Sequence, residues 1–310
     1  MTLAILCSGQ GRQHPGMFAL TGEVPETQGL FAHAARHLGE DPRAMVRDAS
    51  AATLRHNRTG QILCALQALA AATALRPALP GRIVVAGYSV GEVAAWGVAG
   101  LFDAEDTLDL VAQRAEAMDA ASPPGDGLLF VRGLSRDTVE GLCARHDAAI
   151  AIINPGDAFV LGGNRVALDA LGAEARGMHA RRVVDVAVEV ASHTKRLAQA
   201  STVYREILLR APLHFPPRSG TRLLSGIDGA PVLDALTGLD KLAAQISQTV
   251  QWAACLEACV EAGATAFLEL GPGPALSEMV ASAYPGLPAR SLDDFKSLEG
   301  VRAWLAQHAT

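Results

Sequence analysis

The sequence predicts an α/β protein whose central, mainly parallel sheet is interrupted by one small inserted unit. Three observations carry that reading. Apolar runs such as TLAILCS (2–8), RIVVAG (82–87) and TAFLEL (265–270) each give way to helical periodicity, as strands joined by crossover helices do. The stretch 123–189 changes rhythm, with short strands and short helices in quick succession. Finally, 310 residues, 50% of them apolar, suffice to bury a large core.

Taken in order, TLAILCS is a buried strand ending at the loop GQGRQHPG (9–16), and helical spacing follows through 27–76, with breaks near Gly39–Pro42 and Asn57–Gly60. RIVVAG is the next buried strand. The pattern is helical again from Ser89 to Gly100, and Asp103 is placed to cap the helix containing LDLVAQRAEAMDAA. SPPGDG (122–127) stops that helix. LLFVRG (128–133), a helix over 135–146, AIAIIN (149–154), DAFVLGG (157–163), a helix over 165–177 and RRVVDVAV (181–188) then follow. Their order, β-α-β-β-α-β, is that of a ferredoxin-like unit. The chain therefore divides into a large part, 1–122 with 190–310, and a small inserted part, 123–189. A helix over 194–210, a hairpin-like RLLSGIDGAPV (222–232), helices through 239–262, TAFLEL, the turn GPGPA and closing helices complete the large part.

Charge and cysteine usage exclude several classes. The net charge of −6 and the lack of a basic stripe argue against nucleic acid as a partner, so an anionic ligand must meet a local arginine or lysine cluster. Cys7, Cys64, Cys143, Cys255 and Cys259 are odd in number and scattered, which fits a reduced, cytoplasmic protein without disulfides or a zinc site. The start, MTLAILCSGQ, lacks a basic signal-peptide region, and ILCALQALAAATAL (62–75) is too short to span a bilayer. No membrane association is expected.

The chemistry centres on VVAGYSVGE (84–92). Gly87-Tyr88-Ser89-Val90-Gly91 satisfies G-x-S-x-G with a strand before it and a helix after it. A turn this sharp forces the serine into a sparsely allowed conformation and leaves no room for side chains at the glycines. The hydroxyl is then raised above the sheet edge, with the first helical amides aimed at whatever it attacks. On the motif alone, a glycine-rich turn with an incidental serine remains the alternative.

Further stretches narrow the choice. GQG (9–11), GYSVGE (87–92), Arg114 in LVAQRAEAM, ASH (191–193), VQW (250–252) and ELGPGPAL (269–276) occur in an order and spacing that resemble the malonyl-CoA:acyl carrier protein transacylase family over nearly the whole chain. The resemblance implies the acyl transferase fold, an α/β-hydrolase-like body with a ferredoxin-like subdomain. It implies Ser89 as the acylated nucleophile, His193 as general base, and Gln251 as the residue whose carbonyl orients the histidine. The amides of Gln10 and Val90 would form the oxyanion hole. Arg114 would grip the malonyl carboxylate, since a guanidinium holds a carboxylate with two parallel charge-assisted bonds.

Malonyl-CoA is then the donor, and the acceptor is the phosphopantetheine-type thiol of a separate acyl carrier protein. No permanently bound cofactor or metal is implied. Arg182, and less directly Lys195 and Arg196, would meet the CoA phosphates.

Two departures bear on which member this is. Ser8 precedes Gly9-Gln10-Gly11 where fatty-acid enzymes usually have proline, and Tyr88 replaces the usual histidine before the nucleophile. With QHPGMF (13–18), these resemble the epsilon subunit of malonate decarboxylase, whose acceptor is that complex's carrier subunit. The alternative is a malonyl transacylase of fatty-acid or polyketide synthesis.

Rival readings use other residues. A patatin-like lipid hydrolase would pair Ser89 with the aspartate of Asp228-Gly229-Ala230, a stretch that also reads as a plain turn. An α/β-hydrolase would need a late histidine, and His214 and His308 are poorly placed. A non-catalytic scaffold would not need Ser89, His193 and Arg114 together. His33 and His37 lie one helical turn apart, without the glutamate of zinc hydrolases or an evident third ligand, and read as a solvated helix face.

Overall fold

A computed structural model describes residues 1–308. Strand β1 (Thr2–Cys7) is the axis of the main sheet, because every side chain from Leu3 to Cys7 is buried and both of its edges are paired. Then come α1 (Gln28–Leu38), α2 (Pro42–Asp48), α3 (Ala51–Arg55) and α4 (Asn57–Leu75), the expected break falling just before Asn57 rather than within 57–60. Helix α4 is buried almost all round, as its run of alanine and leucine requires. Strand β2 (Ile83–Gly87) feeds α5 (Val90–Ala99), and α6 (Ala104–Ala121) follows. Asp103 occupies the cap position of α6, but its side chain makes no capping bond; its carbonyl instead accepts the Thr107 hydroxyl at 2.7 Å.

The inserted unit comprises β3 (Asp126–Arg132), α7 (Arg136–Arg145), β4 (Ala149–Asn154), β5 (Ala158–Asn164), α8 (Arg165–Gly177) and β6 (Arg182–Val186). Its antiparallel sheet has the order β4-β5-β3-β6, the ferredoxin-like arrangement. Alternation splits its faces. Leu129, Val131 and Leu161 join a separate small core with α7 and α8, whereas Leu128, Val160 and Val186 pack toward the main core.

The chain returns through α9 (Ala198–Leu208), β7 (Thr221–Leu223), α10 (Ala235–Ala244), α11 (Trp252–Glu261), β8 (Ala264–Glu269), α12 (Ala275–Ala283), β9 (Ala289–Ser291) and α13 (Leu298–His308). The expected hairpin over 222–232 has its turn, with Leu224 bridging Pro231, while its leading strand β7 joins the main sheet beside β2. The main sheet, β7-β2-β1-β8-β9, is parallel throughout. Its chain order reverses at β1 and β8, and open α/β sheets place their ligand crevice at the carboxyl ends of such strands.

Two sets of bonds join the small sheet to the large part. Val250 exchanges main-chain bonds with Ala151 and Ile153, both at 2.9 Å. Arg196 holds buried Asp126 through two bonds of 2.7 and 2.9 Å.

Candidate active site

Because β1 and β2 run in register from Leu3 opposite Ile83 to Cys7 opposite Gly87, the loops leaving them emerge side by side. The elbow after β2 depends on its glycines. A Cβ on Gly87 would lie 2.1 Å from the main chain of Gly91, and one on Gly91 would lie 2.1 Å from the Cys7 carbonyl oxygen. So tight a turn holds Ser89 at φ 57°, ψ −122°, a conformation that costs a non-glycine residue about 1–3 kcal/mol. The strain lifts the hydroxyl out of the sheet edge. Val90 is the first residue of α5, so its amide has no acceptor within the helix.

His193 sits opposite, also at positive φ (62°), in the segment that leaves the small sheet. Its ring is buried, with Nε2 2.8 Å from Ser89 Oγ and Nδ1 2.5 Å from the main-chain oxygen of Gln245. A carbonyl only accepts, so Nδ1 carries the proton and Nε2 offers its lone pair to the serine hydroxyl. Burial, and then the nearby charge of Arg114, pull the imidazole pKa down to about 3. The ring is neutral at physiological pH.

The orienting carbonyl is that of Gln245, not Gln251 as expected. Gln251 caps α11, and its carbonyl already accepts the first helical bond, from Cys255 N at 3.0 Å. Its amide donates to Gly226 O at 2.7 Å. Gln251 therefore helps fix the segment and has no bond to the histidine.

Arg114 projects from α6 into the same site and is 1% exposed. Its Nη1 donates to Gln61 Oε1 at 2.6 Å and its Nη2 to Gln245 Oε1 at 3.1 Å, while Nε has no partner among the described residues. Burial draws its pKa down to about 10, so it remains a cation. No carboxylate among the described residues pairs with it. The amide nitrogen of Gln245 donates both to Ser89 O (2.9 Å) and to Glu92 Oε2 (2.7 Å). One residue thus touches the serine, the histidine and the arginine. Glu92 is buried, and desolvation raises its pKa to about 7.

The first loop closes the other side. A Cβ on Gly9 would lie 2.8 Å from Tyr88 O and 3.5 Å from Ser89 Cβ, which puts the Gly9–Gln10 segment against the nucleophile. Gln10 is anchored by its side chain, which donates to Asn57 O at 3.1 Å. Ser8 donates to Glu269 Oε1 at 2.7 Å, and Glu269 Oε2 accepts the amides of Leu276 and Ser277 at 3.0 and 2.8 Å. The GPGPAL turn is tied in this way to the loop that carries Gln10. Tyr88 packs edge-on against Trp252, ring centroids 5.3 Å apart.

Of the expected phosphate-binding cations, Arg182 is exposed on β6, on the sheet face shared with Phe130, its guanidinium 5.9 Å from that ring's centre. Lys195 is exposed, but Arg196 is committed to Asp126. Asp228, the aspartate of the lipid-hydrolase alternative, accepts Ala230 N at 3.1 Å within its turn and Lys241 Nζ of α10 at 2.6 Å, whereas the partner of Ser89 is His193. His33 and His37 are not on a solvated face: Asp109 of α6 meets both rings, and His33 is buried.

Sequence reasoning missed Gln61, Glu92 and Gln245. Two of them carried a signal, since Gln61 is one of two glutamines in the largely apolar, buried α4 and Glu92 is the single charged residue of α5. Gln245 lies between two motifs and belongs to neither.

Residues 5–299 match the family described as acyl transferase domain. The malonyl CoA-acyl carrier protein transacylase of Mycobacterium tuberculosis is 30% identical over 94% of this chain and 96% of its own length. The enzyme of the same name from Haemophilus influenzae is 28% identical over 97% and 98%. The acyl-carrier-protein S-malonyltransferase structure from Burkholderia pseudomallei superposes with a TM-score of 0.89 at 28% identity, covering 98% of this chain and 100% of that one.

Proposed function

The chain belongs to the acyl transferase family, and from that premise we propose that it moves a malonyl group from malonyl-CoA to the thiol of an acyl carrier protein through a malonyl-Ser89 ester. The observation that carries this reading is Arg114. A buried guanidinium without a directly paired carboxylate is costly, because Glu92, which reaches it through Gln245, offsets its desolvation only in part. A short dicarboxylic acyl group supplies the paired carboxylate while presenting its thioester to the serine.

The steps follow from the geometry. Ser89 Oγ attacks the thioester carbonyl as its proton passes to His193 Nε2, 2.8 Å away. The developing imidazolium is stabilised at Nδ1 by the Gln245 carbonyl. The amides of Val90 and Gln10 receive the oxyanion. When the carbon–sulfur bond breaks, Nε2–H returns the proton to the departing CoA sulfur. The carrier thiol then gives its proton to the neutral Nε2 and attacks the ester, and collapse returns the proton to Ser89 Oγ. Burial of His193 and Arg114 keeps water from competing. In this reading the small lobe, 123–189, walls the cleft, and exposed Arg182 meets the CoA phosphates.

For the acceptor, we favour a carrier of fatty-acid or polyketide synthesis over the malonate decarboxylase subunit. The relatives similar over nearly their whole length are named for acyl carrier protein. Tyr88, which suggested the decarboxylase, packs on Trp252 and so has a structural use of its own. Incubating the purified chain with malonyl-CoA and pantetheinylated carrier protein tests the proposal. Malonyl transfer to the carrier, with little acetyl transfer from acetyl-CoA, supports it; faster hydrolysis of lipid esters than malonyl transfer contradicts it.

A further inference from the structure

Away from the serine, α1 and α6 bring four acceptor-bearing side chains to one point. His33 and His37 stand one turn apart on α1, and their Nε2 atoms both lie 2.6 Å from the same oxygen, Asp109 Oδ1. The one ligand atom each residue offers is within 4.8 Å of the other two. Glu105, one turn before Asp109 on α6, lies with Oε2 3.2 Å from the other nitrogen of His33. None of these residues belongs to the machinery around Ser89.

We propose that His33, His37 and Asp109 form a binding site for one divalent transition-metal ion of the zinc class, clamping α1 to α6. Two imidazoles and a carboxylate, with water as fourth ligand, are a donor set suited to zinc, whereas calcium and magnesium want oxygen alone. A carboxylate oxygen that draws in two imidazole N–H groups is arranged so that a single cation can replace both protons. Tetrahedral coordination at about 2.0–2.1 Å spaces its ligand atoms roughly 3.3 Å apart, so Asp109 must withdraw by under about 1 Å. Its side chain, 40% exposed, is free to do so.

The surroundings support a cation. Glu105 Oε2, 3.2 Å from His33 Nδ1, is placed to accept Nδ1–H once Nε2 carries the metal and the Arg36 guanidinium, which only donates, turns from that nitrogen. Arg36 also faces His33 Nδ1, and Arg58 approaches His37 through its carbonyl and Nδ1. Against these two guanidiniums stand Glu105, Asp109, Glu116, which pairs with Arg58, and Asp106, which shares the field of Asp109 and His33. Carboxylates thus outnumber guanidiniums around the two imidazoles, and the surplus of negative charge favours a cation. Asp109 and Arg114 share α6, five residues or about 7.5 Å of helix apart. The ion therefore braces the helix that carries the buried arginine without entering the reaction.

The test is calorimetric titration of the whole, chelator-stripped protein with zinc chloride, beside thermal unfolding with and without zinc. One zinc per chain with micromolar or tighter affinity is expected, together with a raised Tm. His37→Gln and Asp109→Asn should each weaken binding at least thirtyfold and abolish the Tm shift, while circular dichroism shows the variants folded. Absence of saturable binding at 100-fold excess zinc, or binding of equal strength in the His33→Ala/His37→Ala double variant, overturns the proposal.

Discussion

His193 Nδ1 lies 2.5 Å from the main-chain oxygen of Gln245, so the imidazole is oriented by a neutral carbonyl and not by a carboxylate. Burial, and then the nearby charge of Arg114, keep the ring neutral far below its usual range. The base is thus ready to accept a proton at any physiological pH.

That neutrality has a measurable consequence for stability. The folded pKa of about 3 lies below the unfolded value near 6.5, so between these limits the unfolded chain binds the extra proton. The contribution is complete above about pH 6.5 and is lost as pH falls, by about 1.4 kcal/mol per unit. Urea unfolding at pH 7 and pH 5 should show the native protein losing about 2 kcal/mol more than His193→Asn. Glu92 and Glu269, both raised to about 7 by burial, act in the opposite sense, their penalty growing as pH rises from about 4.5 to 7. Both proteins carry them, so the difference isolates the histidine.

Arg114 sets acyl preference in this account. Arg114→Ala should lower kcat/KM for malonyl-CoA by about a hundredfold or more while leaving acetyl-CoA unchanged or improved, as expected when a bidentate charge-assisted contact of several kcal/mol is lost. Arg114→Lys keeps the charge but not the fork, and should fall between. An equal loss for both substrates would show damage to the fold instead.

Gln245 offers a finer test, because its two halves do different things. Gln245→Ala keeps the carbonyl behind His193 but removes the side-chain bonds to Arg114, Ser89 and Glu92. Bonds to charged groups are worth about 1.5–3 kcal/mol, so kcat/KM for malonyl-CoA should drop about tenfold to a hundredfold. The His193 nitrogen resonances should still report Nδ1–H.

The elbow glycines are a steric requirement. Gly91→Ala drives a Cβ to 2.1 Å from the Cys7 carbonyl, a backbone atom in the central strand that cannot yield. Denaturant unfolding should show a loss above about 3 kcal/mol, or no soluble protein. Gly177→Ala, whose Cβ meets nothing within 4 Å, is the matched control and should cost little.

How much of this was legible beforehand depended on whether a residue's role was local. Ser89 and its glycines lie within five consecutive residues between a strand and a helix, so the motif carries its geometry with it. The β-α-β-β-α-β insert was equally readable, because each strand announces itself by its own run of apolar residues. Gln245 was not, since the oxygen behind His193 is main-chain and any residue type could supply it, while its side chain meets Arg114, Ser89 and Glu92 only once distant segments pack together. Gln251, six positions on, sits in a more conspicuous tripeptide, yet its carbonyl is consumed in starting α11. The His33 and His37 pair failed for the same reason. Asp109, 72 residues beyond His37, becomes their partner only when α1 packs against α6. Strand β9, three residues long and at the sheet edge, had too little pattern to see.

In the proposed reaction Ser89 receives the malonyl group while Arg114 holds its free carboxylate. Peptide mass spectrometry of the protein quenched in acid after brief exposure to malonyl-CoA, without carrier, reads this directly. One malonyl group per chain is expected on the peptide bearing Ser89, absent from Ser89→Ala and sharply reduced in Arg114→Ala. A malonyl group at another residue, or undiminished labelling of Ser89→Ala, would contradict it.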